Sequence, residues 1–392
     1  MAKQQYYDIE KTIKNYPDCK YIVVYGERSN GKSYSALKYC IKMFYQSGGT
    51  SSFGYIRRWT DDIKSSNMEQ VFKSLRTNEK GDNAIAEVTK GEYNDVEYKT
   101  RCFYLVHKNE NGEIDKKCDE PFGYIFSLSE SERIKSTGYP SIKSIIFEEF
   151  ISEGLPMVNE FNRYMSVLST IIRNRDDVII MMLGNTVNKY NIYFAEFGFY
   201  KAKNQKKNTV DVYEYQCEDG SILKIACEYA DMPDRKIKKS NVYFAFNNKN
   251  AMITNGSWQI GSYPHLPYYY KPKDIKLMYF IKFDNEIFQC EIIKVIDNKD
   301  NKIIIPDGYK FSNRNVCFTY IHRKTTEIKT INDNIIYQQI VDSKPNIRRK
   351  INNCYDDISR FIYSFFITEK VFYQDNEVGN AIESYIDWCM SN

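Results

Sequence analysis

A chain of 392 residues is long enough for two domains with a core each, and 42% hydrophobic with 27% charged residues is an ordinary globular composition. A net charge of only +4 excludes a chain-wide basic field, and no apolar run reaches the roughly eighteen residues of a membrane span. The polar start Met1-Ala2-Lys3-Gln4-Gln5-Tyr6 is no signal peptide, so a cytosolic location or delivery by another agent is expected. Ten cysteines without a C-x-x-C pair and three histidines (His107, His265, His322) give no zinc-ligand spacing, and the cysteines read as reduced packing residues.

Residues 5–18 read as a short helix ending at Pro17. Tyr21-Ile22-Val23-Val24-Tyr25 then reads as a buried strand, followed by a turn and a helix through Tyr39. The turn is Gly26-Glu27-Arg28-Ser29-Asn30-Gly31-Lys32-Ser33, the spacing of a phosphate-binding P-loop. Glycines at its two ends let backbone N–H groups converge on a phosphate. Lys32 is expected at the β- and γ-phosphates, Ser33 on Mg²⁺, and the helix beginning near Tyr34 adds its positive dipole end. These eight residues with Tyr34 are the candidate ATP cradle; a chance glycine turn is the alternative.

A second strand is expected over Ser52–Trp59, then a helix from Thr60 to about Leu75 with Asp61 and Asp62 in its first turn. Residues 84–128 read as short β-runs broken at Asn94-Asp95 and Asn111-Gly112, an insertion of hairpins before the next core strand. That strand is Lys143–Phe150, followed by a helix carrying Phe161, Tyr164, Val167, Leu168 and Ile171, and by a strand over Asp177–Asn185. Continuous apolar strands alternating with amphipathic helices predict a mostly parallel sheet covered on both faces. After residue 228 the pattern changes: a basic stretch over 232–250 and a turn-rich piece read as a linker, 229–272. Strands over 277–283, 287–293 and 302–305 and helices over 346–366 and 377–390 predict a smaller α/β domain, 273–392. The basic clusters Lys201–Lys207, Arg235–Lys239 and Lys344–Lys350 are either solvated faces or nucleic-acid contacts.

Hydrolysis needs a water activator beside the phosphate cradle. Ile145-Ile146-Phe147-Glu148-Glu149 is an apolar strand ending in two acids, expected to lie beside the P-loop strand. Glu148 is the candidate for the Mg²⁺ shell and Glu149 for polarising the attacking water; two solvated strand-end acids are the alternative. Asn185, ending the next apolar strand, is a candidate sensor of the γ-phosphate. Arg173, in Arg173-Asn174-Arg175, is either an arginine finger reaching a neighbour's site or a helix C-terminal cation complementing the macrodipole.

Taken together, Gly26-x-Arg28-x-x-Gly31-Lys32-Ser33, Tyr55-Ile56-Arg57-Arg58, Lys135-Ser136-x-x-Tyr139-Pro140, Ile145-Ile146-Phe147-Glu148-Glu149-Phe150, Arg173-Asn174-Arg175 and Asn185 resemble the DNA-encapsidation ATPases of small podoviruses. Those are relatives of the large terminases, in the additional-strand, catalytic-glutamate class of P-loop motors. The resemblance covers residues 20–190 and is thin beyond 230. It implies a homomeric ring, a pentamer by expectation, on the portal of an empty capsid in the host cytoplasm, driving double-stranded DNA with ATP and Mg²⁺. A packaging RNA between motor and portal is left open.

Within that resemblance Arg173 acts in trans, Lys135 is a further trans-acting candidate, and Arg57 and Arg58 are a basic pair near the channel and the phosphate machinery, candidates for DNA contact. The second domain is expected to resemble a degenerate ribonuclease-H-like nuclease turned nucleic-acid platform. Its opening strand has no internal acid, with Asp284 only at the turn, so no nuclease activity is expected. One departure is Glu148, where the family's first Walker B acid is usually aspartate. Competing readings are a nucleotide-gated switch without sustained turnover, a small-molecule P-loop kinase, and a terminase large subunit with an active nuclease.

Overall fold

A computed structural model describes residues 6–28, 30–77, 81–134, 137–151, 157, 159–186, 191–217, 219–230, 263–265, 270–283, 286–296, 315–323, 337–339, 364–368 and 370–391. The chain divides into two compact units. The first is Met1–Gly154, Asn159–Lys189 and Lys201–Gln259, and the second is Ile260–Asn392 with the short segments Leu155–Val158 and Tyr190–Tyr200.

The first unit is built on a ten-stranded sheet. Its strands are β1 (Cys19–Gly26), β2 (Ser52–Arg57), β3 (Asp95–Lys99), β4 (Cys102–Lys108), β5 (Ile114–Lys117), β6 (Gly123–Ser127), β7 (Ile142–Glu148), β8 (Ile179–Asn185), β9 (Thr209–Gln216) and β10 (Ile222–Ala230). They run in the order β3-β4-β6-β2-β7-β8-β1-β10-β9, with β5 paired to β4. The central strands β6, β2, β7, β8, β1 and β10 are mutually parallel, and antiparallel hairpins extend both edges. Parallel strands need both faces covered, which is why they read as unbroken apolar runs. Alternation on β7 divides the labour. Ile146 packs with Ala36, Leu37, Cys40 and Ile41 of α2 (Lys32–Gln46). Phe147 faces the other way and stacks on Tyr164 of a helix over Glu160–Ile172, with ring centroids 4.9 Å apart.

The helix expected over 60–75 is broken. A 3₁₀ turn, Thr60–Ile63, is followed by α3 (Ser65–Met68) and α4 (Lys73–Arg76). Asp62 turns back to accept the Trp59 N–H at 3.3 Å and closes the first turn, and the extended backbone of Lys64, at ψ 151°, separates that turn from α3. Each piece still buries an apolar residue: Ile63, Met68 and Leu75. Val88, expected in a β-run, ends α5 (Ala84–Val88), which Asn83 caps by accepting the Ala86 N–H at 2.9 Å. The helix over Glu160–Ile172 is therefore α6. The β3–β4 turn falls at Thr100-Arg101, both at positive φ as a two-residue hairpin requires, and the break expected at Asn94-Asp95 falls where β3 begins.

Two findings bear on the site. The strand carrying Glu148 was expected beside the P-loop strand and is instead separated from it, since β8 lies between β7 and β1. The hairpin of β9 and β10 was not foreseen, and it places β10 parallel to β1 on the other side of the P-loop strand.

In the second unit, α7 (Ile192–Glu196) is capped by Asn191. A five-stranded sheet contains β11 (Ile275–Phe283), β12 (Glu286–Ile296), β13 (Asn315–Arg323), β14 (Tyr337–Gln339) and β15 (Val371–Tyr373), in the order β14-β11-β12-β13-β15. The middle three strands are antiparallel, and β14 and β15 add in parallel at the edges. On one face Tyr279, Ile281, Cys290, Ile292 and Ile321 pack against Val378, Ala381, Ile382 and Tyr385 of α8 (Asn376–Ser391). The strand expected over 302–305, the basic clusters after residue 230, Asp284 and the helix expected over 346–366, except its last turn, lie outside the described residues. So does the expected linker, apart from 229–230 at the end of β10, 263–265 and 270–272.

Candidate nucleotide site

β1 ends at Gly26, and the chain must turn there without a side chain: a Cβ would lie 1.9 Å from the Ala230 carbonyl oxygen on β10. At the far end of the loop, Gly31 has φ +94° and serves as N-cap of α2, a left-handed conformation glycine adopts without strain. Asn30 is 2% exposed and ties the loop down, donating to Ala230 O at 3.3 Å and accepting the Lys32 N–H at 3.3 Å. Arg28 lies at the exposed tip, and Tyr34 packs its ring 6.3 Å from Tyr6. Glu27 is 3.5 Å from Lys207, which ties the Lys201–Lys207 cluster to the loop. Ser29 lies outside the described residues.

Lys32 is 5% exposed. Its ammonium donates to Glu27 O at 2.6 Å, Asn30 Oδ1 at 3.1 Å, and Gly26 O and Asn185 Oδ1 at 3.4 Å each. Burial pushes it down to about 7, against the opposing pull of Glu148 and Glu27. A desolvated cation at a helix N-terminus, held only by carbonyl and carboxamide oxygens, is chemically fitted to an anion.

Parallel register sets Asn185 opposite Gly26 across β8 and β1. At the end of β7, Glu148 accepts hydrogen bonds from the Ser33 hydroxyl on Oε1 and from the Tyr55 hydroxyl on Oε2. A serine hydroxyl and a carboxylate oxygen in contact beneath a phosphate cradle are the donor set a Mg²⁺ shell needs, so these residues fit the metal. Tyr55 is buried, and burial together with the Glu148 charge raises its phenol well above the ordinary value, so it remains a donor. The chain leaves β7 abruptly at Glu149, whose φ is +57°. The Glu149 side chain is consequently exposed, and Arg57 holds it at 2.9 Å.

Arg58 does not sit where a DNA contact requires. It is 8% exposed, and its guanidinium pairs two-pronged with Glu160, itself 0% exposed, at 2.8 and 2.9 Å. It also donates to the carbonyls of Glu149 (3.3 Å) and Phe150 (3.2 Å). That burial corrects the expectation for Arg58: it braces the backbone that carries Glu149. Arg57 is likewise turned to Glu149 and Asp62.

Arg175 curls onto five carbonyls, those of Tyr139, Pro140, Ile142, Ile171 and Ile172, at 2.6–3.2 Å, and so complements the end of α6. Arg173, at the C-cap of α6, stays exposed and donates to Thr137 O at 3.2 Å. Lys20, at the start of β1, donates to Asp176 O at 2.6 Å, so this corner is at the opposite end of the strands from the P-loop. Lys135 lies outside the described residues. The fold thus brings Lys32, Ser33, Glu148 and Asn185 together, with Glu149 at their edge, and leaves Arg173 away from them. Sequence reasoning missed Tyr55 and Glu160 as parts of this arrangement. The pattern Tyr55-x-Arg57-Arg58 at a strand end was the available signal.

A DNA packaging protein of Bacillus phage phi29 is 28% identical over 215 residues, covering 54% of this chain and 55% of that protein. One of Bacillus phage B103 is 30% identical over 190 residues, covering 47% and 50%. The chain thus matches about half the length of these relatives. The solved structure described as the Phi-28 gp11 DNA packaging motor is similar over 99% of this chain and 98% of that one, with a TM-score of 0.51 and 17% identity, a likeness of fold. The family described as Podovirus DNA encapsidation protein (Gp16) matches residues 1–238, which hold the P-loop, Glu148, Glu149 and Asn185, and the chain belongs to that family.

Proposed function

We propose that this chain is the ATPase of a DNA-packaging motor, hydrolysing ATP to drive double-stranded viral DNA into an empty capsid. The observation that carries it is the contact of Ser33 with Glu148 beside a desolvated Lys32 that also reaches Asn185. Mg²⁺, when bound, supplies charge neutralisation between the phosphates. The P-loop amides and Lys32 hold the phosphates, Ser33 and Glu148 hold the metal, and Asn185 senses the terminal phosphate. Glu149 takes the proton of the attacking water, for which its carboxylate must leave Arg57.

Arg173 is proposed to act on a neighbour's site. β8 alone spans seven residues, about 20 Å at strand rise, so a side chain at its starting end cannot serve the chain's own P-loop. Lys135 is proposed as a second trans contact. The assembly is then a homomeric ring, taken to be a pentamer, on the portal vertex in the host cytoplasm, with or without a packaging RNA. The domains are taken as 1–228 for ATP and 273–392 for nucleic acid, joined by 229–272, and no nuclease activity is assigned to the second. Among the described residues no helix is long and apolar enough to cross a membrane. DNA contact should be to backbone phosphates, insensitive to sequence and steeply weakened by salt.

The test is ATP turnover by the full chain with and without double-stranded DNA. Turnover should rise with DNA, vanish in Lys32→Ala, and fall by roughly 10²–10⁴-fold in Glu149→Gln while ATP binding persists. Loss of binding in Glu149→Gln would contradict its role with water. Mixing Glu149→Gln with Arg173→Ala subunits should restore part of the turnover if the arginine acts across subunits, since a finger is worth about 10³–10⁵-fold. A mixture as inactive as its components removes the trans assignment. A nucleotide-gated switch is the second reading, favoured only by the Arg57–Glu149 pair; DNA-stimulated turnover excludes it.

A further inference from the structure

We propose that Tyr55 is a positioning residue that fixes the metal-binding carboxylate of Glu148, an inference resting on the nucleotide reading of the site. Tyr55 lies opposite Ile146 in the parallel register of β2 and β7. Its side chain therefore shares a face with Ile146 and with Glu148 two residues on, a step of about 6.6 Å along a strand. A phenol spans that step. Its hydroxyl donates to Glu148 Oε2, while the Ser33 hydroxyl takes Oε1, so the two oxygens are held from opposite sides. The ring is 2% exposed and packs edge-on against both Phe53 and Phe103, with centroids 6.4 and 6.2 Å away, which leaves the hydroxyl little freedom.

The need arises from Glu148 itself. A glutamate has one more rotatable bond than an aspartate, and its carboxylate lies in the field of two cations, Lys32 and Arg57. Unrestrained, the longer arm could turn to either and leave Ser33 alone beneath the phosphates. Tyr55 removes that freedom: it occupies one oxygen and leaves the other directed at Ser33. Tyrosine and glutamate act as one unit, with the phenol making up for the reach of the acid.

The experiment is a double-mutant cycle read by metal binding, without turnover. Mn²⁺ is titrated into the full chain saturated with a non-hydrolysable ATP analogue, and free Mn²⁺ is followed by electron paramagnetic resonance. Tyr55→Phe keeps the ring and deletes the hydroxyl. It should weaken Mn²⁺ binding roughly 10- to 100-fold, the loss of a hydrogen bond to a charged acceptor. Analogue binding in EDTA should stay unchanged, and the circular dichroism spectrum should stay that of the folded chain. In a Glu148→Asp background the carboxylate is withdrawn from Tyr55, so adding Tyr55→Phe should change Mn²⁺ affinity by less than about twofold. An equal loss in both backgrounds, or no loss in the Glu148 background while the unsubstituted chain binds Mn²⁺ normally, overturns the proposal alone. Failure of the unsubstituted chain to bind analogue and Mn²⁺ overturns the nucleotide reading and this inference with it.

Discussion

The two sheets handle buried polarity in opposite ways. In the parallel sheet Gly26, Glu148 and Asn185 end β1, β7 and β8, so their polar groups gather along one edge where the strands stop and the ladder no longer needs them. In the five-stranded sheet the notable acid, Glu291, sits in the middle of β12, 3% exposed, accepting from Tyr270, Gln289 and His322. An edge of strand ends can present several groups to one ligand, which is why open α/β sheets bind ligands beyond their carboxyl ends. A mid-strand acid whose oxygens are already taken by neighbours does structural work. Position within the strand separates the two cases better than residue type does.

The largest effect should come from a buried ion pair of the first unit. Arg58 and Glu160 form a buried ion pair directly behind the site. Arg58→Ala removes the guanidinium that pairs with the buried Glu160, and should cost about 3–5 kcal/mol in chemical denaturation. Replacing both by apolar residues, Arg58→Met with Glu160→Leu, should recover most of that, because the penalty belongs to breaking the pair. A loss under about 1 kcal/mol for Arg58→Ala would mean the pair is far better solvated than its burial indicates.

A smaller effect sharpens the comparison from the other sheet. Glu291→Gln removes the charge and sets an amide donor against the Gln289 amide and the Tyr270 hydroxyl that now donate to the acid. One buried donor without an acceptor costs about 1–3 kcal/mol, and the loss should appear in the second unit's unfolding while ATP binding is unaffected. Impaired ATP binding would show that Glu291 reaches beyond its own sheet.

How far sequence carried depended on whether the information was local. The P-loop, the strand into Glu148 and the strand into Asn185 were legible because each motif is contiguous and rides on an apolar run that can only be a buried strand. That β8 separates β7 from β1 was not legible, since strand order is decided by how crossovers pack. Arg58 was misread for a related reason: arginine is usually exposed, and the partner that buries it is 102 residues away. Tyr55 meets Glu148 only through the β2–β7 register. The β9–β10 hairpin did leave a signal, the alternation of Thr209-Val210-Asp211-Val212-Tyr213-Glu214, with Val210 and Val212 half-buried or exposed as on an edge strand. The helix expected over 60–75 failed because the turn closed by Asp62 and the extended backbone at Lys64 interrupt its apolar spacing.

The smallest effect concerns sign. Asp387 on α8 is pushed up to about 7 by burial, with the nearby Glu383 charge adding to it. Its unfolded value is 3.8, so between about pH 4 and 7 the folded chain holds a proton that the unfolded chain has lost. The stability it contributes is therefore complete below about pH 4 and is lost as pH rises through 7. Glu291 runs the other way. Burial would raise it, but the hydrogen bonds from His322 and Tyr270 more than offset this and leave it below its ordinary value. Its contribution is present above the unfolded value of 4.5 and is lost as pH falls. Thermal melts of Asp387→Asn should thus show a second unit more stable than the parent at pH 8, with the gain shrinking toward pH 5. Glu291→Gln should show its deficit mainly at neutral pH, narrowing in acid. If both variants shifted in the same direction with pH, the two carboxylates would not be held in the opposite environments that their neighbours in the fold imply.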